Sequence, residues 1–128
     1  MEDYQLRILE LNSKGYCCSQ ILVQLGLDLL EKNNEQLVNS MKGLCNGLFS
    51  GGLCGCLSAG AITLNLILSE EDVPQAVSEL VEWFKNVNGK VNCSELLKGK
   101  TKAEVCLPVL CQTFERIREI YDDFSCEV

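Results

Sequence analysis

Sulfur is the reactive element of this chain, which carries nine cysteines and no histidine among 128 residues. A cysteine thiolate is a nucleophile, a redox centre and a soft metal ligand. Without histidine, the Ser-His-Asp and Cys-His catalytic pairs cannot be assembled within the chain. Mixed Cys/His zinc sites and a CxxCH haem attachment are excluded on the same ground, so no haem is expected. What remains is thiol redox, thiolate metal binding, or cysteines that serve only as small buried hydrophobes.

Position sorts the nine. They fall at Cys17-Cys18, Cys45, Cys54-Gly55-Cys56, Cys93, Cys106, Cys111 and Cys126. Four sit near an expected helix start: Cys18, Cys54 just after Gly51-Gly52, Cys93, and Cys106 early in the last helix. A helix start offers unpaired N–H groups and partial positive charge, which favour thiolate over thiol. This shared placement predicts that Cys18, Cys54, Cys93 and Cys106 converge at one end of a bundle, with Cys54 the most acidic. Cys17 and Cys56 are secondary members. Cys106 shares the apolar stripe of Val109, Leu110, Thr113, Ile117, Ile120 and Phe124. Cys111 lies about 140° further round the helix and is expected to be peripheral. Cys45, near a helix end, and Cys126, in the tail, are read as incidental. A Cys17–Cys18 bond needs a small strained ring and is not expected.

The elements that must position these sulfurs are helical. Tyr4, Ile8 and Leu11 give the first helix one face, with a stop near Gly15. A second helix runs from Tyr16–Ser19 towards Leu30, and Asn33-Asn34 opens a third that is expected to reach Gly47. After Ser50-Gly51-Gly52 comes a helix to about Leu68 with almost no polar face, expected to be the buried central one. Ser69 with Asp72, and Pro74, mark the next helix start, and Gly89 its end. Cys93–Leu97 reads as a short turn or a single helical turn. Thr101 with Glu104 forms a capping box for a last helix to about Phe124. Nothing reads as a strand, so the expectation is an all-α, single-domain bundle of five or six helices over residues 1–128.

Composition bounds the rest. The chain is 47% hydrophobic, and a domain of this size buries roughly two-thirds of its unfolded surface. It needs no disulfides merely to fold. A net charge of −7 argues against nucleic acid and anionic membranes as partners. The longest apolar run, Ala59 to Leu68, is too short for membrane insertion. No targeting segment is visible, and a cytoplasmic protein is expected.

Several segments carry a resemblance: Tyr16-Cys17-Cys18-Ser19-Gln20, Phe49 to Gly60, Asn92-Cys93-Ser94-Glu95-Leu96-Leu97, and Cys106. Together they resemble the C_GCAxxG_C_C family of redox-active proteins. By that resemblance the first family cysteine falls on Cys18, a Cys-Gly-Ala-x-x-Gly element on Cys54 to Ala59, and a Cys-x-Glu-Leu-Leu element on Cys93 to Leu97. The last cysteine falls on Cys106, which the helical stripe also selects. In this register Cys56 and Ala59 replace the family's alanine and second glycine. A related domain occurs in a haem-containing cytochrome that also carries an iron–sulfur centre, so the resemblance implies a possible cluster on Cys18, Cys54, Cys93 and Cys106.

Three functions compete. The first is a redox module, which holds an iron–sulfur cluster for electron transfer or cycles dithiol and disulfide with a partner protein or small thiol. The second is a thiolate site for zinc or copper, although paired-knuckle spacing is absent. The third is a helical interaction domain with structural cysteines. Glu70, Glu71 and Asp72 read as a helix cap, Gly51-Gly52 lacks a phosphate-loop context, and Trp83 reads as core or interface.

Overall fold

The most apolar helix is the one around which the others pack. The computed structural model describes residues 3–125, without the side chains of residues 102 and 103. Its α-helices are α1 (Asp3–Ser13), α2 (Cys18–Leu29), α3 (Glu35–Ser40), α4 (Gly55–Ile67), α5 (Val73–Asn88), α6 (Cys93–Leu97) and α7 (Lys102–Ser125). No β-strand occurs among the described residues, and the fold is all-α. The expected five or six helices become seven when the single helical turn anticipated at Cys93–Leu97 is counted with them. No helix of the described residues is long and apolar enough to cross a membrane.

Helix α4 packs against α2, α5 and α7. Its small residues allow close approach. A Cβ on Gly60 would lie 2.9 Å from Leu80 of α5 and within 3.6 Å of Ile117 and Thr113 of α7. A Cβ on Gly26 of α2 would lie 2.6 Å from the Thr63 methyl of α4. Around these contacts Leu22, Leu64, Leu80, Phe84, Leu110 and Ile117 are wholly buried. Each contributes about 1.5–3 kcal/mol of transfer free energy. Helix α1 closes the far side: Arg7 Nε donates to Asp28 Oδ2 at 3.0 Å, the Tyr4 hydroxyl donates to the Glu115 carboxylate, and the Tyr4 ring packs on Phe114.

The helix-end signals act as expected. The Asn34 side chain accepts from Leu37 N at 3.0 Å, and Thr101 Oγ1 accepts from Glu104 N at 3.3 Å. Gly89 leaves α5 with φ +75°, a conformation that costs glycine little.

The third helix departs from expectation. It does not run to Gly47 but stops at Ser40, followed by a 3₁₀ turn at Met41–Leu44. A tertiary contact accompanies the change: the Met41 carbonyl accepts from the Ser19 hydroxyl of α2 at 2.9 Å. Cys45 is then extended, and Asn46, Gly47, Leu48 and Phe49 all have positive φ. Left-handed backbone at non-glycine residues costs roughly 1–2 kcal/mol each. A hydrogen bond from Gly52 N to Gly47 O (2.9 Å) closes the turn.

Candidate functional site

Three helix starts meet at the site, and backbone pairing joins two of them. Cys18 is the first residue of α2. Before it, the Cys17 N–H donates to Gln20 Oε1 at 3.1 Å, which fixes the entry of the helix. Cys54 is the N-cap of α4, and Cys93 the first residue of α6. The segments before these last two pair in antiparallel fashion at Leu53 and Asn92. Cys54 N donates to Val91 O at 2.8 Å and Cys93 N donates to Gly52 O at 2.7 Å. That bridge sets the start of α6 beside the start of α4. Helix α7 then supplies Cys106 from its second turn.

The result is one cavity of about 290 Å³ lined by Cys17, Cys18, Cys54, Cys93 and Cys106. Tyr16, Ile21, Leu107 and Leu110 give it an apolar wall, and Asn12 and Asn46 add polar groups. Cys18, Cys54, Cys93 and Cys106, singled out by position in the sequence, therefore do come together. Cys111 lies outside this lining, half-buried against the core, where burial pushes its thiol up. Cys126 lies outside the described residues.

Cys56 is more central than its secondary rank in the sequence implied. It is 1% exposed, and its thiol is hydrogen-bonded to both Cys18 and Cys54. These two bonds, together with burial, hold the Cys56 thiol well above its ordinary value, so it keeps its proton and donates. The effect on Cys54 is the reverse. The hydrogen bond from Cys56, aided by the backbone N–H groups of Cys56 and Leu57, outweighs burial and lowers Cys54 to about 7. The helix start contributes as expected, but the neighbouring thiol contributes more.

Cys45 is not incidental, because it forms a disulfide with Cys17 across a Cα–Cα distance of 6.1 Å. The extended backbone after the 3₁₀ turn carries Cys45 to the start of α2, a placement that helical periodicity does not reveal. Cys54, Cys56 and Cys111 form no disulfide.

A zinc ion or an iron–sulfur cluster takes four thiolates or their equivalents. Among the described residues no group of three or more cysteine, aspartate or glutamate side chains is arranged to hold a metal ion. Cys17 is engaged in its disulfide, and the protonated Cys56 thiol sits between Cys18 and Cys54 with its one proton given to Cys54. This arrangement fits sulfur–sulfur chemistry and does not fit a four-thiolate centre.

Comparison with known proteins gives one match. The model of the family described as "Putative redox-active protein (C_GCAxxG_C_C)" matches residues 16–120. No curated protein and no solved structure matches the chain. The family pattern corrects the register expected from resemblance. Its Gly-Cys-Ala-x-x-Gly element lies on Gly55-Cys56-Leu57-Ser58-Ala59-Gly60, not on Cys54 to Ala59. Packing gives the reason for both glycines. A Cβ on Gly55 would meet Leu44 O at 3.0 Å and Cys18 Sγ at 3.2 Å, and one on Gly60 would meet Leu80. The departure is thus Leu57 in place of alanine, and Cys54 is the added sulfur.

Proposed function

We propose that this chain, which belongs to the C_GCAxxG_C_C family of redox-active proteins, exchanges thiols and disulfides at the cavity between the starts of α2, α4 and α6. The observation that carries the reading is the acidic Cys54 sulfur in a cavity also lined by Cys18, Cys93 and Cys106. Near neutral pH about half of Cys54 is thiolate, and the thiolate is the attacking species.

Cys54 attacks one sulfur of a bound disulfide. A bond forms to that sulfur, the substrate S–S bond breaks, and the departing thiolate takes the Cys18 proton. Cys18 then attacks the Cys54 sulfur, and the second substrate thiolate leaves and is protonated by solvent. Two electrons pass from the protein dithiol to the substrate, which leaves as two thiols, and Cys18 and Cys54 end as a disulfide. Cys56 holds its proton throughout and hydrogen-bonds whichever sulfur carries charge. The reverse sequence oxidises a dithiol. A partner protein or a small thiol compound is the exchange partner, and the cytoplasm is the proposed compartment.

The test is a redox titration of anaerobic protein with alkylation of the reduced sulfurs. Wild type is expected to show a reproducible two-electron midpoint at the peptides that hold Cys18 and Cys54. That midpoint should vanish in Cys54→Ser and Cys18→Ser and persist in Cys126→Ser. A wild-type protein with no reversible dithiol couple would exclude the function.

A further inference from the structure

We propose that Cys17–Cys45 is a second, reducible couple that exchanges electrons with the cavity thiols, and that Ser19 is a positioning residue favouring its dithiol form. The proposal rests on the thiol–disulfide reading of the cavity.

The first observation is the surroundings of the bond. Ser19 is 0% exposed. Its hydroxyl donates its single proton to Met41 O at 2.9 Å. The lone pairs of the same oxygen are left for Cys17 Sγ at 3.1 Å and Cys45 Sγ at 3.4 Å. While the disulfide is intact neither sulfur has a proton to give. A buried acceptor then faces two groups that cannot donate, which is unfavourable. Reduction places a proton on each sulfur, and an S–H···O bond to Ser19 becomes available. The serine thus stabilises the dithiol and does nothing comparable for the disulfide. A bond that served only as a staple has no use for such a neighbour.

The second observation is access. Cys17 lines the cavity together with Cys54 and Cys18, whereas Cys45 is 3% exposed and lies outside the lining. A nucleophile in the cavity therefore reaches the Cys17 sulfur, and Cys45 is the leaving group. The exchange balances without an outside reagent. The Cys54 thiolate attacks Cys17 Sγ, the Cys17–Cys45 bond breaks, and Cys45 leaves as a thiolate that is protonated while the Cys18 thiol releases its proton to solvent. Cys18 then attacks Cys54 Sγ and expels Cys17, which is protonated by solvent. The cavity pair is oxidised and Cys17 and Cys45 are reduced, with two electrons moved. Run in reverse, a disulfide formed in the cavity is handed to the Cys17–Cys45 pair, and the cavity thiols are ready for another turnover.

The experiment equilibrates folded, anaerobic full-length protein in buffers of reduced and oxidised dithiothreitol. The sulfurs are trapped by alkylation, and the peptides holding Cys17 and Cys45 are quantified by mass spectrometry. Reversible opening of this bond in the folded state is expected. In Ser19→Ala its equilibrium should shift about fivefold towards the disulfide, the worth of one net hydrogen bond. In Cys54→Ser the equilibrium should stay in place while the approach to it slows at least tenfold. A Cys17–Cys45 bond that stays closed at every ratio until denaturant is added overturns the second couple, even if Cys54 still cycles. An unshifted Ser19→Ala equilibrium overturns the role of Ser19, and an unchanged rate in Cys54→Ser overturns the relay. If Ser19→Ala does not fold, the wild-type titration and the Cys54→Ser rate still decide. Loss of all reversible couples, including that of Cys54, removes the cavity function itself.

Discussion

Replacing Cys56 with alanine isolates the contact that makes Cys54 acidic. In the native protein Cys54 falls from an ordinary 9.0 to about 7, chiefly through the hydrogen bond from the Cys56 thiol. At pH 7 that makes about half the sulfur thiolate, against about 1% at the ordinary value. Basicity lost is nucleophilicity lost. With a Brønsted coefficient of about 0.5, each Cys54 thiolate reacts about tenfold more slowly than an ordinary one. The net gain at pH 7 is about fivefold. Cys56→Ala removes the leading cause of the lowering and leaves the two helix N–H groups to oppose burial, so Cys54 climbs back towards its ordinary value. Alkylation of Cys54 by iodoacetamide, followed by fragment-ion mass spectrometry across pH, should show two crossing profiles. The variant should react about fivefold more slowly at pH 7 and up to about tenfold faster near pH 10. Crossing separates this mechanism from simple disorder, which would raise reactivity at all pH values. A native midpoint near 9, or superimposable native and variant profiles, would refute the reasoning.

Two further outcomes follow from packing and linkage. Gly26→Ala should destabilise the fold by about 1–2 kcal/mol in denaturant titrations. Its new methyl meets a stiff, fully buried Thr63 whose hydroxyl is tied to Ala59 O at 2.7 Å. Gly60→Ala is tight only against the flexible end of the Leu80 side chain, with Ile117 and Thr113 at ordinary contact distance, and should cost less, offset by a helix-propensity gain of about 1 kcal/mol. For pH, the folded Cys54 value of about 7 lies below the ordinary 9.0, so its ionisation stabilises the fold. That stabilisation is present above about pH 9, shrinks as pH falls from 9 to 7, and is gone below. The stability gap between native protein and Cys54→Ser should therefore widen by about 2 kcal/mol from pH 7 to 9. Cys56 and Cys111, both raised, act oppositely: they favour the fold below pH 9 and lose that effect above it. A gap that narrows over the same window contradicts the assignment.

Much of the architecture is written locally. Asn34, Thr101, Pro74 and Gly89 mark helix ends through contacts or backbone preferences within a few residues of themselves. The mostly apolar run from Leu57 to Ile67, interrupted by Ser58, Thr63 and Asn65, identifies the central helix. The cavity was partly legible for the same reason, since Cys18, Cys54 and Cys93 stand at helix starts and Cys106 lies on an inward stripe. Three features were not local. The third helix ends at Ser40 where the Met41 carbonyl meets a hydroxyl of α2. Cys45 finds Cys17 only after that break, across 28 residues. Cys56 looked like an ornament on a motif read one residue out of register, and its burial between two sulfurs set the acidity of Cys54.

By itself, the sequence determined that this protein is a helical bundle whose chemistry runs on sulfur, because periodicity, capping and the absence of histidine are properties of short stretches and of composition. Only the tertiary structure decided which sulfurs are bonded, which keep their protons and which face the cavity. Those outcomes depend on distances and burial between segments remote in the chain, and on hydrogen bonds that exist only once α2, α4 and the turn after α3 have packed together.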